Sequence, residues 1–211
     1  RLEKGKRCAE GRNLCLEPGR VRAPKDNPCA CPARPKKGKC ARQSAEMVYD
    51  MYYTSLYNDA YSKIGPATPI PADCGALCGA RCCRGDQEMG MIVFPGEERL
   101  LRAHGFALTQ REMAGYPVWF ATCSGRCRRV VRPLSCRIFP LAPLYERQNL
   151  TIVPDPRARA VCPLLSAHAV EQSFAHAVKA AFEVLTQDER VREMLVYYTK
   201  MLREYQAFWR E

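Results

Sequence analysis

The chain has 211 residues, with 33 Lys+Arg against 22 Asp+Glu, 13 cysteines, and 2 Trp, 10 Tyr and 7 Phe. Hydrophobic residues make up 47% of it, enough to bury a core at the size of one domain, which excludes disorder along the whole length. No run reaches the ~18 consecutive apolar residues of a membrane span, and no apolar segment of secretory type stands near the N-terminus, so a cytoplasmic, non-membrane protein is expected.

The basic excess is uneven. Residues 1–46 carry 13 Lys+Arg and 5 Asp+Glu, a net of +8, which leaves +3 for residues 47–211. The first 46 residues contain five Pro and four Gly but no Phe, Trp, Tyr, Ile or Met. Such a stretch cannot bury enough apolar area to offset its chain entropy, so residues 1–46 are expected to be a disordered segment and Met47 a plausible start of the native chain. A nucleic-acid-binding arm is disfavoured because the segment has no aromatic side chain for base stacking. Cys8, Cys15, Cys29, Cys31 and Cys40 lie in it at spacings that match no zinc knuckle.

From Met47 on, periodicity predicts a small set of elements. Residues 46–63 read as a helix, with Val48, Met51, Tyr52, Leu56 and Ala60 recurring at helical spacing and Gly65-Pro66 as its stop. Pro66, Pro69 and Pro71 extend the chain toward Cys74. Met89 to Phe94 is a strand candidate broken by Pro95-Gly96. Glu97 to His104 reads as a helix with Leu100 and Leu101 inward and Gly105 as its C-terminal stop. Tyr116 to Thr122 and Leu150 to Val153 are further strands.

Two helices close the chain. The first runs over about 167–185, with Phe174, Val178, Ala181, Phe182 and Leu185 on one face. Thr186-Gln-Asp-Glu189 has the form of a capping box opening the second. Val191, Leu195, Tyr198, Leu202, Tyr205 and Trp209 form its stripe, completing a helical pair over 167–210. The expected fold is α+β and α-rich: a small cysteine-rich domain with short strands, stapled by metal rather than by a large core.

Chemistry is concentrated in eight cysteines: Cys74, Cys78, Cys82, Cys83, Cys123, Cys127, Cys136 and Cys162. Close spacing brings several sulfurs to one point at little loop-closure cost. Gly75, Gly79 and Gly125 stand between them, where backbone has to bend tightly. Adjacent Cys82 and Cys83 bond each other with difficulty, and in a reducing compartment such clustering favours metal binding over disulfides. Thiolates select zinc, Cu(I) or iron–sulfur centres. The chain has no C-x2-C step but three C-x3-C steps, which tilts the expectation to an iron–sulfur cluster first and Zn²⁺ second.

Arg81, Arg84, Arg126, Arg128, Arg129, Arg132 and Arg137 all lie within four residues of a cluster cysteine. Four thiolates around Zn²⁺ leave a net −2, which neighbouring guanidinium groups offset; hydrogen bonds to sulfur also tune redox potential. A solvated basic loop and a phosphate or nucleic-acid site are the competing readings. His104, His168 and His176 fall on predicted helices without the spacing of a mixed zinc site. Glu97, Glu98, Tyr116 and Asp155 are the polar candidates near the cysteines, with helix capping or surface exposure as their plainer explanation.

Cys74-Gly-Ala-Leu-Cys-Gly-Ala-Arg-Cys-Cys83 and Arg132-Pro-Leu-Ser-Cys-Arg-Ile-Phe-Pro140 resemble the two signatures of the YkgJ-type cysteine-cluster proteins, a zinc- or iron-chelating family. Phe94-Pro-Gly-Glu-Glu98 and Asp155-Pro-Arg-Ala-Arg-Ala-Val-Cys-Pro163 resemble further blocks of its bacterial members. The resemblance covers about 72–163. It implies ligands among the eight cysteines, with Arg132 and Arg137 beside them, without saying which four belong together, and it assigns no reaction.

Three functions follow as expectations. The first is a metal-binding protein with a structural or redox centre and an unidentified protein partner. The second is an iron–sulfur-dependent protein-modifying enzyme, because flagellin lysine methylases carry a related cluster; that reading is weakened by the lack of a glycine-rich nucleotide loop. The third is a nucleic-acid-binding module using the arginine-rich cysteine loops. No Ser/His/Asp set, P-loop or dinucleotide fingerprint is present.

Overall fold

Helix α1, Lys37–Ile64, leads the described chain and ends where Gly65 takes a left-handed φ of +49 and Pro66 follows. The computed structural model describes residues 37–83, 90–122 and 127–208. Residues 1–40 and 41–211 form two separate units. Residues 1–36 lie outside the described residues, so the expected disorder there falls outside them too. Helix α1 begins ten residues before the boundary placed at Met47, so residues 37–46 are helical rather than part of a structureless arm.

The buried face of α1 also differs from the expected one. Tyr53, Leu56, Tyr57, Ala60 and Ile64 are buried, whereas Val48, Met51 and Tyr52 are exposed. Tyrosines caused the misreading. Tyr53 and Tyr57 go inward because each hydroxyl finds an acceptor, Asp188 Oδ2 at 3.1 Å and the Pro95 carbonyl at 3.0 Å.

Short helix α2, Cys74–Cys78, and a 3-10 turn, Arg81–Cys83, follow. Strand β1, Gly90–Val93, runs into helix α3, Glu97–Ala103. Strands β2, Ala107–Met113, and β3, Tyr116–Thr122, form a hairpin around Ala114-Gly115, both at positive φ. The sheet order is β1-β3-β2, all antiparallel, with Ile92 opposite Phe120 and Thr109 on the other side of Phe120.

A 3-10 turn, Arg129–Val131, precedes helix α4, Leu134–Ile138. Strands β4, Leu141–Glu146, and β5, Asn149–Pro154, make a second hairpin turned by Arg147-Gln148, again with both φ positive. A 3-10 turn, Pro156–Ala158, and helix α5, Pro163–Ser166, lead to α6, Gln172–Leu185, and α7, Glu189–Phe208.

The α+β class and the two closing helices match expectation, with seven α-helices and two small sheets among the described residues. Phe174, Val178, Ala181, Phe182 and Leu185 are the buried face of α6, as its periodicity predicts. On α7, Val191, Leu195, Tyr198 and Leu202 are buried with Met194 and Thr199, but Tyr205 is exposed and Trp209 lies outside the described residues.

The capping box is not formed. Thr186 donates its hydroxyl to the Glu183 carbonyl, and Asp188 Oδ1 accepts from the Val191 N–H at 3.1 Å, so Asp188 is the cap of α7. His168 sits at positive φ in the turn after α5 rather than on a helix.

A hydrophobic cluster of 24 buried side chains, drawn mainly from α1, α4, β4, α6 and α7, forms the core. That is larger than expected for a metal-stapled domain, and no described cysteine belongs to it. No described helix is long and apolar enough to cross a membrane.

Candidate metal centre

The first cysteine run is shaped by local backbone chemistry. Asp73 caps α2 by accepting from the Gly75 N–H at 3.0 Å, and Gly79 ends the helix at φ +60 with its N–H on the Gly75 carbonyl. Cys74 and Cys78 are therefore one helical turn apart on one face. Ala80, at φ +52, turns the chain again, and the Cys83 N–H bonds back to the Ala80 carbonyl. Cys82 and Cys83 follow with their sulfurs 4.0 Å apart.

Charges show which thiols feel one another. Burial first, then Cys78, Asp73 and Cys162, push the Cys74 thiol up, while Arg129 works against them. Cys82 is also raised, first by its hydrogen bond with Cys83 and by burial, with Cys83, Cys78 and Cys74 adding to it. Cys83 is lowered to about 6, first by the Cys82 hydrogen bond and then by Arg132, against the effect of burial.

Arg132 belongs to a second neighbourhood. Burial works to lower its pKa, but its hydrogen bond to Cys127 and the charges of Cys83, Cys127 and Cys136 outweigh that and raise it. Its Nε is buried without a hydrogen-bond partner among the described residues. The described cysteines thus occupy two overlapping electrostatic neighbourhoods. Cys74 feels Cys78 and Cys162, Cys82 feels Cys83, Cys78 and Cys74, and Arg132 feels Cys83, Cys127 and Cys136, with the Cys82–Cys83 pair common to both neighbourhoods.

Cys74, Cys78, Cys82, Cys83, Cys127, Cys136 and Cys162 form no disulfide, and all are half-buried except the exposed Cys82. Cys123 lies outside the described residues, as do Arg84 and Arg126. Among the described residues, no three His, Cys, Asp or Glu side chains are gathered closely enough to hold a metal ion. The donor type fits a thiolate-bound metal; the described sulfurs alone do not form a finished cage.

The arginines are anchored to the chain's own backbone. Arg129 donates to the Ala67 carbonyl, and Arg137 donates to the carbonyls of Val130 at 2.6 Å and Arg132 at 3.3 Å. The Arg137 guanidinium also lies over the Tyr61 ring, 4.2 Å from its centroid. Arg81 and Arg128 are exposed.

Of the four polar candidates, two are buried and two half-buried. Glu97 is completely buried and receives the Tyr61 hydroxyl at 2.5 Å, the Leu134 N–H at 2.6 Å and the Phe94 N–H at 3.4 Å. Burial raises its pKa to about 7 against the lowering effect of those bonds and of Arg137. Because Leu134 opens α4, Glu97 fixes the turn that bears Cys136. Ser135 helps by donating to the Ile92 carbonyl.

Asp155, also buried, caps the turn at Pro156–Ala158 through the Arg157 N–H and pairs with the Arg157 side chain, which donates on to the Tyr198 hydroxyl at 2.5 Å. This ties the segment before Cys162 to α7, and the Cys162 N–H closes on the Ala158 carbonyl at 2.8 Å. Glu98 is half-buried, and Tyr116 stacks on Tyr197 with centroids 4.7 Å apart.

Sequence reasoning did not find Tyr61. Its signal was faint: one tyrosine among several on a helix, 36 residues from Glu97. No protein-family model, curated protein or solved structure matches this chain.

Proposed function

We propose that the chain is a cytoplasmic, bacterial metal-binding protein of the YkgJ-type cysteine-cluster kind, holding an iron–sulfur cluster, or alternatively Zn²⁺, in a structural or redox role. The observation that supports this reading is that Cys74 feels the charge of Cys162, 88 positions away in sequence, as well as that of its neighbour Cys78. Segments brought together from such separation, with no disulfide among the described cysteines, suit a shared ligand better than scattered inert thiols.

The chain's own residues supply three things. The eight cysteine thiols are the ligand candidates. Arg129 and Arg132 offset thiolate charge, and the anchoring of Arg129 and Arg137 to backbone carbonyls argues against their binding nucleic acid. Glu97 and Asp155 orient the segments bearing Cys136 and Cys162. An iron–sulfur centre, when bound, would supply a one-electron redox couple.

The test is purification without oxygen, followed by a visible spectrum with iron, sulfide and zinc analysis. Broad absorption near ~400 nm with iron and sulfide supports the cluster. Stoichiometric zinc in a colourless sample moves the reading to a structural zinc protein. Absence of any bound metal, with every cysteine reacting rapidly as a thiol, would sink both. The protein-modifying and nucleic-acid readings have no specific observation in their favour.

A further inference from the structure

Helices α1, α3 and α7 and strand β3 border an open cleft of ≈ 180 Å³ that no described cysteine lines. Tyr49, Tyr116, Trp119 and Met194 contribute much of its wall, and Glu98 and Arg190 are its charged groups. Glu98 Oε2 is buried yet has no hydrogen-bond partner among the described residues. A carboxylate oxygen held away from bulk water with its lone pairs unused is rare, because the loss of hydration goes uncompensated.

Nothing in the cleft supplies the missing donor. Arg190, the cation on the same wall, is directed to Tyr49, donating to its hydroxyl at 2.7 Å and lying 5.1 Å from its ring centroid. Glu98 forms no ion pair with it or with any other described residue. Arg102 already stands over Trp119 at 4.8 Å and Arg99 over Tyr49 at 4.6 Å, as expected for ring faces that attract positive charge. Met194, Val118 and Pro117 add apolar surface for a short aliphatic body.

We infer that this cleft is a binding site for a small organic ammonium ion, with Glu98 Oε2 receiving its N–H groups and Tyr116, Trp119 and Met194 holding its alkyl part. The site is independent of any metal at the cysteines. Its selectivity follows from the orphaned oxygen: an alcohol of the same length offers one neutral donor, whereas an ammonium ion offers charge and up to three donors.

The experiment uses the full chain with Trp209→Phe, which leaves Trp119 as the sole tryptophan. Its fluorescence is titrated with n-butylammonium chloride and, separately, with n-butanol, at constant ionic strength. A saturable change with butylammonium, little response to butanol, and at least about tenfold weaker butylammonium binding in Glu98→Gln are expected. Equal response to the two probes would mean an apolar slot only and would overturn the site. Undiminished binding by Glu98→Gln, or no saturable change up to about 10 mM butylammonium, a range that covers weak small-molecule affinities, would overturn it as well. The amine-against-alcohol comparison stands on the unsubstituted Glu98, so it decides the matter even if Glu98→Gln folds poorly.

Discussion

The hydroxyl of Tyr61 donates to Glu97 Oε1 at 2.5 Å, and that one oxygen also receives the Leu134 N–H at 2.6 Å. A single buried carboxylate thereby joins α1, α3 and α4. Arg137, stacked over the other end of the arrangement on the Tyr61 ring, follows Cys136 directly in sequence. The cysteine-bearing turn is consequently positioned by a polar knot rather than by apolar contact alone.

Glu97 should make stability depend on pH in a defined direction. Its folded-state pKa of about 7 lies above the ordinary carboxyl value of 4.5, so between those values the folded state binds more protons than the unfolded one. The stabilising contribution is full below pH 4.5 and is lost as pH rises through about 7. Glu97→Gln, whose amide oxygen still accepts from Tyr61 and Leu134, removes this dependence. Denaturant melts at pH 5 and pH 8 should show the wild type losing up to about 3 kcal/mol relative to the variant. Parallel pH profiles for the two proteins would refute the assignment.

Asp188 caps α7 and receives the Tyr53 hydroxyl, whereas Thr186 makes only an exposed bond to Glu183. Asp188→Ala should cost about 2 kcal/mol by combining a lost cap with a weakened buried tyrosine bond. Thr186→Ala should stay within about 0.5 kcal/mol. Urea midpoints at constant m-value separate the two, and the reverse ranking would restore the capping box.

Gly96 enters α3 at φ +89, and a Cβ there would stand 1.9 Å from the Tyr53 ring. Gly96→Ala should therefore destabilise by about 3 kcal/mol, from left-handed strain and overpacking together. A change under about 1 kcal/mol would mean that Tyr53 can move aside without cost.

Metal removal should act locally. The 24-residue core contains no described cysteine and draws heavily on α1, α6 and α7. On the proposed reading, chelation under reducing conditions should leave far-UV helical signal largely unchanged while exposing amides of residues 74–83 to faster hydrogen exchange. Cooperative loss of the α6 and α7 signal on chelation would show that the metal staples the whole domain.

Legibility tracked how much of an element's role was apolar. Helix α6 and strand β3 could be read directly because periodicity reports burial. Strand β2 escaped because its sequence, Ala-Leu-Thr-Gln-Arg-Glu-Met, is mostly exposed and held only by pairing with β3. Strand β4 was hidden by Pro143 in its middle and by a turn of Arg147 and Gln148 where Asn-Gly would have been the signal. The cysteine spacings pointed to a site but not to its grouping, because grouping depends on where Cys162 folds back. Capping holds for Asp155, but the burial of Asp155 and Glu97 was not legible, because a buried carboxylate is set by partners far off in the chain, as Tyr61 is for Glu97.

The separation of rim sulfurs from the hydrophobic interior has a cellular consequence. Proteases and chaperones act on chains that expose their core, and the thiols here are not part of that core. A molecule whose rim thiols had been oxidised would keep its interior closed and escape removal. On the proposed reading, in which the thiols hold the metal, ageing of this protein under oxidative stress would therefore accumulate folded, long-lived, chemically spent copies, and abundance in the cell would overstate working capacity.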